Sequence, residues 1–198
     1  MKKIREIIVG TNNNGKYKEI CDLLPNEIKK YSPREFKISS PEEIGKNFED
    51  NSMIKASYFS KKTNLVCLSD DSGLEIDLLK GAPGIYSSRW SGIKNNFDEA
   101  IQKVFEEMSK IKKDWKNKNN ARFICCMTLF WPNGKNYSSK GIVKGKISTK
   151  KKGKNGFGYD PIFIPNGFDK TFGEMKPELK MSIDHRFKAF FKIKKFFN

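Results

Sequence analysis

Long apolar runs and paired cysteine spacings are missing from these 198 residues, no secretory leader is expected, and acidic side chains are in the minority. No apolar stretch approaches the roughly 20 residues a membrane-spanning helix needs, so no membrane span is expected. The four cysteines, Cys21, Cys67, Cys125 and Cys126, show no CxxC spacing, and two neighbours on a strand point to opposite faces. Neither a zinc site nor a disulfide framework is therefore expected. The opening Met1-Lys2-Lys3-Ile4-Arg5-Glu6 sets charges on both sides of a short apolar run, unlike a signal peptide. A reduced, cytoplasmic protein is the plain expectation.

Against 23 acidic residues stand 39 basic ones, with one histidine and a formal net charge of +16. Such a charge can recruit nucleic acid, anionic lipid or a polyanionic small substrate. Lysine and asparagine are scattered through turns and helix faces rather than gathered in a stripe, and no recognition motif accompanies them. Specific nucleic-acid binding is not expected on that ground. The length suits one domain, spanning 1–198, with a sizeable core.

Hydrophobic patterning marks out strands and helices along the chain. Ile4 to Val9 reads as a buried strand, followed by the polar loop Gly10-Thr11-Asn12-Asn13-Asn14-Gly15 and a helix burying Tyr17, Ile20, Leu23 and Leu24. A short strand is expected at Phe36-Lys37-Ile38, a helix from about Phe48 to Lys62, and a buried strand at Leu65 to Leu68. Ser69-Asp70-Asp71-Ser72-Gly73 reads as a tight bend before alternation resumes at Leu74, Ile76 and Leu78. Ile101, Val104, Phe105 and Met108 recur at helical spacing, and Lys110 to Asn120 reads as a solvated loop. Phe123–Trp131 and Tyr137–Ile147 form a hairpin around the turn signal Asn133-Gly134. A glycine- and lysine-rich loop, Ser148 to Gly158, leads to an extended Tyr159 to Ile164. A helix carrying Phe187, Phe190, Phe191 and Ile193 begins near Asp184 and docks on the body.

Four clusters could carry chemistry. Thr11-Asn12-Asn13-Asn14-Gly15-Lys16 offers hydroxyl, amide and backbone donors at a helix N-terminus, with an ammonium in reach of a phosphate oxygen; a capped helix after a turn is the competing reading. It lacks the spacing of a Walker A loop. Asp70-Asp71 at the end of an apolar strand suggests a hard cation such as magnesium, which takes oxygen ligands and shares substrate phosphates. Glu42 or Glu43 could add another carboxylate. Gly156-Phe157-Gly158-Tyr159-Asp160-Pro161 could clasp a base, its glycines allowing close approach and its aromatics supplying faces. Lys180 with Asp184-His185-Arg186 gathers donors and holds the sole histidine.

In this order and spacing, these segments resemble the inosine triphosphate pyrophosphatase family, the housecleaning enzymes for nonstandard purine nucleoside triphosphates. The match runs over nearly the whole chain and includes Glu19, Gly81-Ala82-Pro83-Gly84 with Arg89, and Thr171-Phe172-Gly173-Glu174-Met175. The resemblance implies an α/β fold with a long, mixed central β-sheet flanked by helices, two lobes enclosing a nucleotide cleft, and a homodimer. It implies that Thr11, Asn13 and Lys16, within the loop 11–16, grip the triphosphate, that Glu42 and Asp71 hold Mg2+, and that Ser72 touches the substrate. Phe157, Gly158, Tyr159, Asp160, Lys180, His185 and Arg186 would line the nucleotide pocket. Asp71 is the preferred base for activating water, with Asp70 the alternative. The implied reaction takes ITP, dITP or XTP to the monophosphate and pyrophosphate. A basic nucleic-acid-binding module and a nucleotide sensor without turnover are the rival readings.

Two positions depart from the family pattern. Asn12 stands where the family usually has glycine, raising the question of its backbone angles. Asp184 stands where the family usually has serine, adding a negative charge beside an anion site.

Overall fold

The computed structural model describes residues 3–93 and 95–197. Six strands form one sheet in the order β2-β1-β3-β4-β5-β6: β1 (Glu6–Val9), β2 (Lys29–Tyr31), β3 (Val66–Ile76), β4 (Asn120–Phe130), β5 (Asn136–Ile147) and β6 (Phe163–Pro165). Five helices accompany them: α1 (Asn14–Leu23), α2 (Phe48–Thr63), α3 (Phe97–Ile111), α4 (Pro177–Ile183) and α5 (His185–Ile193). β1 pairs in parallel with both β2 and β3, whereas β5 and β6 are antiparallel. The sheet is therefore mixed and flanked by helices, as the resemblance implies.

By internal packing the chain divides into two compact units, one of residues 1–71, 125–141 and 185–198, the other of 72–124 and 142–184. In the first, Ile7, Val9 and Leu68 pack with Ile20 and Leu24 of α1, Cys125, Met127 and Leu129 of β4, and Ala189, Phe190 and Ile193 of α5. Ile8, Cys67 and Phe130 meet Ala56 and Phe59 of α2. In the second, Leu74, Ile76, Ile101, Val104, Met108, Phe123, Ile147, Phe163 and Phe172 form the core. The four cysteines form no disulfide among the described residues.

Local chemistry sets the ends of α2. The Asn47 side chain accepts the Asp50 N–H at 2.8 Å, Glu49 and Asp50 lie in the first turn, and Lys61 and Lys62 lie in the last. Such a cap contributes about 1 kcal/mol, and charges of these signs suit the helix dipole. Asn64, with φ 57°, ends the helix in the left-handed region, a conformation asparagine tolerates.

Several sequence expectations are corrected. The strand expected at Phe36-Lys37-Ile38 is a turn: Pro33 starts it, the Ile38 N–H returns to the Pro33 carbonyl at 3.0 Å, and Lys37 has φ 56°. The strand in this region is instead Lys29–Tyr31, whose Lys-Lys-Tyr carries no alternation to announce it. No bend breaks β3 at Asp70-Asp71; the strand runs unbroken for 11 residues with Ser69, Asp70 and Asp71 buried in it, the two carboxylates paired with cations. The extended piece expected from Tyr159 is a 3-10 turn over Asp160–Ile162, and only Phe163–Pro165 is strand. The hairpin stands, although β4 begins at Asn120, and α4, which carries Lys180, precedes the final helix. No helix among the described residues is long and apolar enough to cross a membrane.

Candidate active site

The loop after β1 builds the start of α1 from its own side chains. Thr11 Oγ1 accepts the Asn13 N–H at 3.2 Å, and Asn13 Oδ1 caps the helix by accepting the Lys16 N–H at 3.0 Å. The next N–H groups, of Asn14 and Gly15, are those a helix start leaves without an intrahelical partner. No acidic residue lies in the first turn to compete for an anion. Asn12 avoids the left-handed region, which among described non-glycine residues holds Lys37, Asn64, Lys80 and Asn95. The side chain that replaces glycine reaches across the loop instead, and Asn12 Nδ2 donates to Ser40 Oγ at 3.0 Å.

Asp70 is fully buried beneath this loop. Its Oδ2 lies 3.4 Å from Lys16 Nζ and accepts from Arg186 Nη2 at 3.1 Å, while Arg186 Nη1 donates to Glu19. Burial alone would raise the Asp70 pKa, but Lys16, Arg186 and Lys55 outweigh it and hold the carboxyl well below its ordinary value. Asp70 is thus a permanent anion that gathers cations, and its Oδ1 has no hydrogen-bond partner among the described residues.

Asp71, one residue on, meets α2. Its Oδ1 accepts from Lys55 Nζ at 3.2 Å and its Oδ2 from Asn51 Nδ2 at 3.2 Å. Lys55 also pairs with Glu43 at 2.5 Å. Desolvation works against the Lys55 charge, yet Asp71, Glu43 and Asp70 prevail and raise its pKa, so it is a fixed cation. Glu42 lies exposed on the same loop, one residue from the carboxylate that meets Lys55. Lys55 and Asn51 are the site residues that sequence reasoning passed over. Their signal was faint: two polar residues four apart, hence on one face of α2.

The second unit holds its own cluster. Asp160 Oδ2 accepts from Lys180 Nζ at 2.7 Å and from the Phe157 N–H at 2.9 Å. The Lys180 ammonium stands 5.2 Å from the Phe157 ring centroid and 5.7 Å from that of Phe172, a cation–π range. Gly156, at φ 74°, lies where an added Cβ would strike the Asp160 carboxylate. Tyr159 belongs to the core: its hydroxyl donates to the Ser87 carbonyl at 2.9 Å, its ring meets Phe97 edge-on, and burial pushes its pKa up. Ser72 is half-buried in β3. In the first unit, His185 and Arg186 open α5, both buried; the buried Asp184 precedes them, its N–H closing α4 on the Lys180 carbonyl at 3.0 Å.

A family model described as the Ham1 family matches residues 7–196. The chain belongs to the Ham1 family. Among its relatives, the dITP/XTP pyrophosphatase of Agrobacterium fabrum is 40% identical, over 98% of this chain and 97% of its own length. That of Oceanobacillus iheyensis is also 40% identical, over 97% and 98%. A Ham1 protein from Coxiella burnetii superposes with a TM-score of 0.86 at 36% identity, covering 97% of this chain and 98% of its own. The Staphylococcus aureus Ham1 protein gives 0.83 at 33% identity, over 96% and 97%.

The donor set of this Ham1 chain fits a hard divalent cation. Asp70, Asp71, Glu42 and Glu43 supply only carboxylate oxygens, and the unpartnered Asp70 Oδ1 is a buried acceptor awaiting a donor or cation. No group of three or more His, Cys, Asp or Glu among the described residues forms a metal cage by itself. Such a set suits an ion that completes its shell with water and substrate phosphate.

Proposed function

We propose that this Ham1 chain hydrolyses nonstandard purine nucleoside triphosphates, ITP, dITP and XTP, to the monophosphate and pyrophosphate. The observation that carries the reading is the buried assembly of Asp70 and Asp71 with Lys16 and Lys55 beside the start of α1. Triphosphate donors and clustered carboxylates lie in one compact unit, the combination that metal-assisted cleavage of a phosphoanhydride requires. A basic nucleic-acid-binding module is not favoured, because these two lysines pair with carboxylates rather than forming an open cationic stripe.

Thr11, Asn12, Asn13, Asn14, Gly15 and Lys16 bind the triphosphate: backbone N–H groups take phosphate oxygens and Lys16 leaves its carboxylates for the anion. Glu42 and Asp71 hold the metal, Mg2+, which when bound neutralises phosphate charge and polarises the scissile anhydride. Asp71 takes the proton from the attacking water, directed at the α-phosphorus, so that pyrophosphate leaves. Asp70 holds Arg186 in place, and Ser72 contacts the substrate. Phe157, Gly158, Tyr159, Asp160, Lys180, His185 and Arg186 serve the nucleoside.

Base choice follows from hydrogen-bond inventory. Hypoxanthine and xanthine carry a 6-oxo acceptor, which suits the cationic Arg186, whereas adenine carries a 6-amino donor that leaves the site's donors unpaired. The whole chain, 1–198, acts as one functional domain, as a cytoplasmic homodimer. Pyrophosphate release from a purine triphosphate panel, with and without Mg2+, tests the reading. ITP and XTP are expected to turn over far faster than ATP; equal turnover of ATP and ITP ends the specificity claim, and full activity of Asp71→Asn ends the assignment of the base.

A further inference from the structure

Lys55 bridges the two acidic parts of the site by charge; Asn51, for which the resemblance supplies no role, joins them a second time. Its carboxamide is fully buried and used at both ends: Nδ2 donates to Asp71 Oδ2 at 3.2 Å, and Oδ1 accepts the Gly45 N–H at 2.8 Å. Gly45 lies on the loop that carries Glu42 and Glu43. We propose that Asn51 is a positioning residue that ties this acidic loop to Asp71, holding both in register for the reaction; the inference rests on the role given to Asp71 above.

The surroundings leave little freedom for any other residue. A Cβ on Gly45 would stand 2.5 Å from Asn51 Oδ1 and 2.6 Å from the Asp50 Cβ, so the loop lies directly on the start of α2. The Lys46 N–H donates to Asp50 Oδ2 at 3.1 Å, fastening the same stretch a second time. At the far end Asn12 Nδ2 donates to Ser40 Oγ at 3.0 Å, and Arg34 Nη2 holds the Asn12 carbonyl at 2.9 Å. The segment bearing Glu42 and Glu43 is thus anchored on both sides.

Asn51 and Lys55 are one helical turn apart and each takes one oxygen of Asp71, so α2 fixes the carboxylate by two points while each oxygen keeps a further lone pair. Only asparagine meets both demands at this length. Aspartate keeps the acceptor for Gly45 and loses the donor to Asp71; glutamine adds a methylene to a site that is closed on every side.

The test is a double-mutant cycle of Asn51→Ala and Asp71→Asn, following kcat and KM for ITP. Asn51→Ala is expected to lower kcat about 10²-fold, the loss typical of a small misplacement, with KM little changed. On an Asp71→Asn background it is expected to cost little further, because its effect passes through Asp71. A full, multiplicative loss on that background overturns the proposal, since a merely structural residue behaves so. Amide hydrogen exchange of the nucleotide-free, metal-free protein supplies a second readout. Asn51→Ala is expected to lose protection at Gly45 and Lys46, whereas Asn51→Asp, nearly isosteric and still accepting from Gly45, keeps it while losing kcat. Unchanged protection at Gly45 in Asn51→Ala overturns the proposal. Should Asp71→Asn stay fully active, the proposed base is wrong, and the exchange result alone decides whether Asn51 ties the loop.

Discussion

Asp70 Oδ2 accepts from Arg186 Nη2 at 3.1 Å across 116 residues of chain, joining the strand that carries the acidic pair to the helix that ends the fold. Lys16 stands on the same oxygen. Removing the charge takes away the partner that two cations share, one of them almost entirely enclosed. Asp70→Asn is therefore expected to lose about 3–5 kcal/mol of stability, the cost of breaking a buried ion pair from one side. Urea unfolding measures it; a loss below about 1 kcal/mol contradicts the structural role.

The same group sets an acid limit. Its folded pKa lies below the ordinary 3.8, so the stability it contributes is present in full above about pH 4 and is lost as pH falls through the folded value. Lys55 works in the opposite sense: its pKa is raised above 10.5, so its contribution is present below that pH and disappears as pH climbs through the folded value. Unfolding midpoints followed from neutral pH down to about pH 2 should fall in the wild type and fall less in Asp70→Asn. Parallel curves for the two proteins refute this.

Gly141 marks a close approach within the first unit. A Cβ there would collide with the His185 carbonyl and the Ala189 nitrogen, both backbone atoms of α5. Gly141→Ala must push strand and helix apart, at about 1–3 kcal/mol, typical of overpacking. Because Arg186 lies between those two residues in sequence, a parallel drop in ITP turnover is expected. A variant that melts and turns over like the wild type shows that the helix can shift freely.

How much of this was legible in the sequence varies with the physical source of each feature. β1, α1, α2 and the hairpin were readable because apolar periodicity and an Asn-Gly turn are local signals. β2 was not, because a strand of Lys-Lys-Tyr is held by its pairing with β1 rather than by any pattern of its own. The unbroken β3 was missed for a related reason: Ser-Asp-Asp-Ser-Gly is a turn composition, and only partners distant in the chain, Lys16, Lys55 and Arg186, make it tolerable inside a strand. Asn51 and Lys55 stayed hidden because a polar residue on a helix usually faces water, and nothing local says that these two face Asp71. Asn12, by contrast, was visible as a departure, and the structure gives it a bond to Ser40 in place of the backbone freedom glycine offers.

In the second unit, Lys180→Met keeps the bulk of the side chain and removes the ammonium held by Asp160 and set over the Phe157 and Phe172 rings. KM for ITP is expected to rise at least about tenfold, in line with losing a hydrogen bond to a charged group. Steady-state kinetics alongside a thermal melt separate lost binding from lost folding; an unchanged KM removes Lys180 from the nucleoside site.

In the proposed reaction water attacks the α-phosphorus. Hydrolysis of ITP in 18O-labelled water, with the products separated and weighed by mass spectrometry, tests it most directly. The label is expected in inosine monophosphate, with unlabelled pyrophosphate as the sole other product. Label in pyrophosphate, or release of inosine diphosphate and orthophosphate, contradicts it.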